Sequence, residues 1–226
     1  MSYNIAIDGP AGAGKSTIAK LVAKKRGYIY VDTGAMYRAM ALYLLRTGVD
    51  TSDRAAIAKA CQNADISIAY QKGEQVVLLN GENVNAYLRT EEVGNMASVS
   101  SAVPEVRKKL VELQQELAAK EDVVMDGRDI GTHVLPQAPL KIYLTASVEA
   151  RALRRYKELL EKGNAAELEA VKADIAKRDA SDMNREISPL KQADDAVYLD
   201  TSHMDIPQVV EKIIAMYQER SQSREE

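Results

Sequence analysis

Nine residues near the start of the chain, Gly9-Pro10-Ala11-Gly12-Ala13-Gly14-Lys15-Ser16-Thr17, fit the spacing G-x-x-x-x-G-K-[ST]. Each residue type has a reason to be there if the loop wraps an anion. Glycines let successive backbone N–H groups curl round the charge with no Cβ in the way. The free N–H groups and the dipole of a following helix favour the same negative charge. A lysine at this position reaches β- and γ-phosphates, and the Ser16 hydroxyl can sit on Mg²⁺. The motif also demands a strand before it and a helix after it. Tyr3-Asn4-Ile5-Ala6-Ile7-Asp8 reads as a short apolar strand, and Thr17 to Arg26 carries Ile18, Leu21 and Val22 at helical spacing before Gly27. That context separates a phosphate-binding loop from a glycine-rich turn that binds nothing, and it points to a nucleoside triphosphate.

Arginines are the second group that could do chemistry, because a planar guanidinium fork matches a phosphate where a lysine does not. Arg38 falls inside a helix predicted from about Ala35 to Arg46, whose Met36, Tyr37, Ala39, Met40, Leu42, Leu44 and Leu45 make it apolar nearly all round and therefore buried. A buried arginine needs an anion, either a ligand or an internal partner such as Asp32. Arg151, Arg154 and Arg155 follow i, i+3, i+4 spacing on a helix over Ser147 to Leu160. They cluster away from its apolar Val148, Ala152, Tyr156 and Leu159, as a ligand-facing group or as a solvated face paired with Glu158. A further stripe, Leu168, Val171 and Ile175, continues by steps of 3, 4 and 3 to Arg178, Asp182 and Arg185. On one helix these three charges lie in line with the core residues and face something polar but enclosed, unless the helix ends past the core edge with Asp182 paired to both arginines.

The elements that must position these groups alternate strand and helix. Tyr28–Asp32, Asp122–Asp126, Leu140–Leu144 and Val197–Asp200 read as buried strands, and Ile206–Tyr217 as a closing helix with Val210, Ile213, Ile214 and Tyr217 on one face. The pattern implies an α/β fold with a doubly wound parallel sheet, whose ligands sit at the carboxyl ends of the strands. Thr33, Asp126 and Arg128 come at such ends, on the side of the glycine loop. Between Gly48 and Val103 the pattern changes. A short helix over Ala55–Ala64 precedes Ile66–Tyr70 and Gln75–Leu79, which flank the turn Lys72-Gly73, and Asn80-Gly81 leads to a third short strand over Glu82–Asn85. This antiparallel meander is an insertion into the parallel core. Pro104 then opens a helix to Lys120.

Composition narrows the function further. The chain has 226 residues with a net charge of −3, no Trp, no Phe and one cysteine, Cys61. A net-acidic chain with well-placed arginines suits a small, highly phosphorylated ligand better than a polymer, which argues against nucleic acid and anionic membranes. One cysteine allows no internal disulfide and suits a reducing cytoplasm. No signal peptide is read at the N-terminus, no apolar run approaches the ~20 residues of a membrane helix, and Glu219 to Glu226 reads as a polar, frayed end. No Asn/Thr-Lys-x-Asp or Asp-x-x-Gly follows in the places a GTPase switch would need.

The glycine loop, Asp32-Thr33-Gly34-Ala35-Met36-Tyr37-Arg38, Asp126-Gly127-Arg128-Asp129-Ile130-Gly131-Thr132 and Arg178-Asp179-x-x-Asp182-x-x-Arg185 together resemble the bacterial cytidylate kinases, in order and spacing, over nearly the whole chain. The glycine loop is shared by many enzymes; the second and third blocks together are far more specific. The resemblance implies a P-loop NTPase core with a parallel sheet (1–47, 104–150 and 186–226), an antiparallel acceptor-domain insertion (48–103) and a helical lid (151–185). It implies phosphorylation of CMP and dCMP by ATP with Mg²⁺; the self-contained core, with no coiled-coil seam or long apolar edge in the sequence, permits a monomer, and the single cysteine suits the cytoplasm. Gly9 through Thr17 would hold ATP, and Ser16 the metal with Asp126 as an outer-shell partner. Arg38, Arg128 and Arg185 would hold the acceptor's phosphate, Arg178 and Asp182 its ribose, and Ser98, Arg107 and Asp129 the cytosine edge, with Thr33 and Asp126 completing the substrate set. Lys15, Arg128, Arg151, Arg154 and Arg155 would be catalytic. The chain departs from some members at Ala180 and Ser181, where they carry charges. A P-loop kinase for another nucleotide or a small metabolite is the alternative, since only the base-edge residues speak against it.

Overall fold

A computed structural model describes residues 3–71 and 74–222, so the turn at Lys72-Gly73 and the last four residues lie outside the described residues. The chain divides into two compact units, one holding Tyr30–Glu121 and the other Tyr3–Ile29 with the chain from Asp122 onward.

In the second of these units the four-residue strand β1 (Ile5–Asp8) is buried along its whole length. Such a strand needs a neighbour on each edge, and it pairs in parallel with β6 (Val123–Gly127) and β7 (Leu140–Thr145). The register sets Ile7 opposite Asp126 and Asp8 opposite Gly127. Strand β8 (Val197–Asp200) pairs in parallel with β7, giving the order β6-β1-β7-β8 within this unit, and β2 (Ile29–Asp32) leads into the other unit. Strands that are apolar on both faces require helices on both faces, which gives the α/β architecture expected from the sequence. Asp126 belongs to β6 rather than following it, one residue before the strand's end.

Helix α1 (Lys15–Arg26) starts from Gly14 at φ 85° and stops at Gly27 at φ 71°, so both ends use left-handed backbone that glycine adopts without strain. Ile18, Ala19, Val22 and Ala23 face the core, while Leu21 remains exposed. Helix α8 (Ile206–Gln222) packs on α1 through Val209, Val210, Ile213 and Tyr217. The Arg26 guanidinium lies 4.0 Å above the Tyr217 ring, whose hydroxyl is 2.7 Å from that of Tyr28. Ser147 caps α6 (Val148–Glu161) by accepting from the Ala150 N–H, and α6 packs on α7 (Leu168–Asn184).

In the other unit, the Asp32 side chain caps α2 (Thr33–Arg46), accepting from the Ala35 N–H at 2.9 Å. Met36, Ala39, Met40, Ala41, Leu42 and Leu44 are buried, and Arg38 is half-buried rather than enclosed. Helix α3 (Arg54–Cys61) leads into the meander β3 (Ile66–Gln71), β4 (Glu74–Leu79) and β5 (Glu82–Asn83), antiparallel throughout. Helix α4 (Glu91–Ser100) packs on α2, and α5 (Pro104–Lys120) opens on its proline as expected. The reading of the sequence contained no α4. Its start is legible in retrospect: Thr90 accepts from the Val93 N–H, and Glu91 and Glu92 occupy the first turn. Gly94 and the run Ser98-Val99-Ser100 weaken the helical signal that follows.

Candidate active site

The glycine loop leaves β1 at Gly9, whose φ is 153°. A Cβ there would lie 1.9 Å from the Leu144 carbonyl oxygen, so the loop can pass the end of β7 only as glycine. Lys15 is 6% exposed and donates to the Pro10 carbonyl at 2.8 Å. Burial, followed by the nearby charge of Arg128, pushes its ammonium down to about 7. The Ser16 hydroxyl donates to Asp126 at 3.0 Å, so a hydroxyl and a buried carboxylate from different elements converge at the helix start.

The block after β6 is fixed to the loop's own strand. Asp8, 5% exposed, accepts the Ile130 and Gly131 N–H groups, each at 2.7 Å. These residues open a single π-helical turn, Ile130–Val134. Burial raises the Asp8 carboxyl to about 6 against the lowering effect of the two N–H bonds. Arg128 and Asp129, just before that turn, meet the end of α7. Arg128 Nε donates to Asp182 at 2.6 Å, and Arg185 Nη2 lies 3.4 Å from Asp129. Arg185 follows the last residue of α7 in extended backbone, so it reaches its partner from a cap position.

The three arginines of α6 take three separate places. Arg151 is buried, against the expectation of a surface cluster. It donates to the Ala146 and Ala11 carbonyls, both at 2.8 Å, and pairs with Asp179 at 2.7 Å. Arg154 donates to Thr201 at the end of β8. Arg155 is exposed and pairs with Glu158, which also binds Lys162. On α7 the expected stripe is corrected. Arg178 points to solvent and pairs with Asp174, while Asp179 is the buried residue that follows Ile175. Four residues, not three, separate the inward positions there, and Asp182 and Arg185 lie half-buried on the same side.

Thr33, Arg38, Ser98 and Arg107 belong to the unit Tyr30–Glu121. Thr33 is buried at the start of α2. Gly34 leaves room for the Arg38 guanidinium, since a Cβ there would sit 3.1 Å from Nη1. Arg107 is 3% exposed and lies 5.6 Å over the Tyr37 ring, whereas Ser98 is exposed on α4. Asp32 is gripped through its main chain by Gln75, which accepts its N–H at 2.7 Å and donates to its carbonyl.

The sequence family described as Cytidylate kinase matches residues 5–219. The chain belongs to this family. It is 50% identical over 214 residues to the Cytidylate kinase of Caldicellulosiruptor saccharolyticus, covering 95% of each chain. It is 48% identical over 218 residues to that of Bacillus subtilis (strain 168), covering 96% of this chain and 97% of the relative. Among solved structures, an uncharacterized protein from Eubacterium ventriosum ATCC 27560 superposes with a TM-score of 0.53 at 12% identity, over 97% of this chain and 99% of that one, which shows a shared fold.

Three residues of this site were not among the sequence candidates: Asp8, Asp179 and Thr201. Asp8 had a visible signal, an acid closing an otherwise apolar strand directly before the loop. Asp179 had a weaker one, four residues after Ile175. Thr201 matters through its carbonyl, which no sequence pattern exposes.

Proposed function

We propose that this chain transfers the γ-phosphoryl of ATP to CMP and dCMP, giving ADP with CDP or dCDP. The observation that carries the reading is the arrangement of Lys15, Ser16 and Asp126 at the start of α1 beside a turn bearing Arg128 and Asp129, in a chain of the cytidylate kinase family. An oxygen of the acceptor phosphate attacks the γ-phosphorus, the bond to the β,γ-bridging oxygen breaks, and its electron pair leaves with ADP. The acceptor phosphate has a second pKa near 6, so it is mostly dianionic at pH 7 and needs no strong general base. Catalysis is then positioning and charge stabilisation.

Gly9 through Thr17 hold the triphosphate, with Lys15 on its terminal phosphates. Arg38, Arg128 and Arg185 bind the acceptor's phosphate, Arg178 and Asp182 its ribose, and Ser98, Arg107 and Asp129 its base, with Thr33 and Asp126 in the same set. An acid and an arginine suit a ring that offers an exocyclic amine and a carbonyl. Arg154 and Arg155 are the lid cations assigned to the migrating phosphoryl. The functional parts are a core (1–47, 104–150, 186–226), an acceptor domain (48–103) and a lid (151–185) whose closure excludes water.

Mg²⁺ fits the donor set: the Ser16 hydroxyl is a hard oxygen ligand, and the Asp126 carboxylate, 3.0 Å from it, suits an outer-shell partner. When bound, it would neutralise charge on the phosphate oxygens. The proposal also has the enzyme act as a cytoplasmic monomer on free nucleotides rather than on nucleic acid or a membrane. No helix among the described residues is long and apolar enough to cross a membrane.

ADP release with ATP and Mg²⁺, measured separately against CMP, dCMP, UMP, AMP, GMP and dTMP, tests the reading. Turnover chiefly with CMP and dCMP is expected. Turnover chiefly with another nucleotide would keep the kinase and discard the base-edge assignment of Ser98, Arg107 and Asp129.

A further inference from the structure

Arg151 spends every edge of its guanidinium inside the protein. Nε donates to the Ala146 carbonyl, Nη1 to the Ala11 carbonyl of the glycine loop, and Nη2 to Asp179 on α7. Both partners of the ion pair are buried. A charge so placed is held by its counter-ion, and removing one partner leaves the other uncompensated in a low-dielectric setting. The same two helices also flank the loop. A Cβ on Gly12 would lie 3.5 Å from Arg151 Cβ and 3.7 Å from Ile175 Cδ1, so α6 and α7 both bear on that residue.

The Ala11 carbonyl is the informative contact. A peptide is planar and trans, and the chain contains no cis bond among the described residues, so the Gly12 N–H points away from the side on which the Ala11 carbonyl is held. The preceding peptide is treated alike, since the Pro10 carbonyl accepts from Lys15 Nζ at 2.8 Å. The two side chains therefore fix two successive peptides, and the one that Arg151 holds by its carbonyl carries the Gly12 N–H. A main-chain N–H aimed outward from such a glycine loop is one donor of an anion cradle.

We propose that Asp179 is a positioning residue for the phosphate loop: it holds Arg151 on the Ala11 carbonyl, and so sets the Gly12 N–H for the triphosphate. Arg151 is accordingly a brace beneath the loop and not a cation that closes over the migrating phosphoryl. The inference deepens the ATP-binding part of the proposed function and does not depend on which nucleotide is the acceptor. It also links the middle of α7 to the loop, so the order of that helix and the affinity for ATP become one property. Asp179 stands three residues before Asp182, which holds Arg128, so one helix supports both halves of the site.

The test uses the full chain and a non-hydrolysable β,γ-imido analogue of ATP with Mg²⁺, titrated by calorimetry with no acceptor present, alongside steady-state kinetics. Asp179→Asn keeps the shape and removes the charge. It should weaken analogue binding about tenfold and raise KM for ATP by a similar factor, the scale of losing one charge-assisted hydrogen bond. KM for CMP should stay within about twofold, a split that general loosening of the fold would not produce. Asp179→Glu should recover part of the affinity. Should Asp179→Asn fail to fold, the paired substitution Arg151→Met with Asp179→Leu serves. A buried ion pair replaced on both sides by apolar groups is commonly tolerated, and this variant should fold yet bind the analogue about tenfold more weakly. Analogue affinity within twofold of wild type in whichever variant folds would overturn the proposal. So would Arg151→Lys binding the analogue normally while losing most turnover, because that is the signature of a catalytic cation. If wild type binds the analogue but never turns over CMP, the acceptor assignment fails, and the brace is judged on the titration alone.

Discussion

Arg128 reaches across from the turn after β6 to α7 and donates Nε to Asp182 at 2.6 Å, while Arg185 at the end of the same helix lies 3.4 Å from Asp129. Two adjacent residues just before the π-helical turn therefore pair with one residue on α7 and one just past its end, with the charges reversed. An acidic and a basic residue on each side hold the helix end without leaving a net charge. In the proposed site an entering phosphate would compete with Asp182 and Asp129 for these two guanidinium groups. Arg128→Ala is expected to lower kcat by roughly a hundredfold or more and to raise KM for CMP, as loss of a charge-stabilising donor does. Asp182→Asn should raise KM for CMP with a smaller effect on kcat. Near-normal kinetics for Arg128→Ala would remove it from the site.

Lys15 gives a proton-linked prediction. Burial lowers its ammonium to about 7, so near pH 8 the free protein holds this lysine largely neutral. A triphosphate beside it favours the charged form, so binding must take up a proton. Calorimetry of the imido analogue at pH 8, in buffers of different ionisation enthalpy, should show net uptake that is lost in Lys15→Met. The stability consequence has a definite sign. The folded pKa lies below the unfolded value of 10.5, so the unfolded chain binds more protons between about pH 7 and 10.5. This group's contribution therefore improves as pH rises through that window and is least favourable below pH 7. Lys15→Met should gain stability relative to wild type at pH 6, measured by urea unfolding.

Arg178 tests a role where position and assignment pull apart. Its side chain is 60% exposed and pairs with Asp174 one turn back. An exposed pair of this kind contributes about 0–1 kcal/mol, so Arg178→Ala should leave the melting temperature nearly unchanged. If it binds the acceptor's ribose, KM for CMP should still rise severalfold with the fold intact. An unchanged KM would leave Asp182 alone in that assignment.

The same helix shows where the sequence stopped being legible. The glycine loop, the strand ends and the D-G-R-D block could be read because each combines an unusual residue type with a fixed offset from a strand. Along α7 the turn of 3.6 residues makes steps of 3 and 4 equally plausible at any one place. After Ile175 a step of 3 gives Arg178 and a step of 4 gives Asp179, and tertiary packing chose the second. The cluster of Arg151, Arg154 and Arg155 failed as a unit for a related reason. Spacing on a helix fixes which side chains are neighbours, but backbone carbonyls at Ala11 and Thr201 decide where two of them go. Carbonyls have no residue type, so these partners leave no mark in the sequence.

Asp8 is the acid that joins the glycine loop's strand to the turn carrying Arg128 and Asp129. Its two carboxylate oxygens each accept one N–H, from Ile130 and Gly131. In Asp8→Asn one of those oxygens becomes an NH₂ that faces a donor, leaving a buried N–H unpaired. A loss of about 1–3 kcal/mol at pH 7.5 is expected. The pH dependence follows from a folded pKa of about 6 against 3.8. The folded state binds the extra proton between those values, so wild-type stability from this group falls as pH rises through the window. The gap between wild type and Asp8→Asn should widen from pH 7.5 to pH 4.5 in denaturant titrations. A gap that narrows would show that the carboxylate prefers its charged form here.

Gly9 and Gly14 both have positive φ, 153° and 85°, yet they should answer differently to alanine. At Gly9 the new methyl would meet the Leu144 carbonyl oxygen at 1.9 Å, and a backbone atom in a central strand pair cannot step aside as a side chain could. Gly9→Ala is expected to cost more than about 3 kcal/mol, through overpacking against main chain. At Gly14 nothing lies within 4 Å, so the only penalty is the left-handed backbone, roughly 1–2 kcal/mol. Gly14→Ala should therefore fold and melt only modestly lower. Its nucleotide affinity then reports whether the backbone at the start of α1 must stay left-handed to present its N–H groups. If Gly9→Ala melts as high as Gly14→Ala, the close passage of the loop over the end of β7 is not a constraint on this fold.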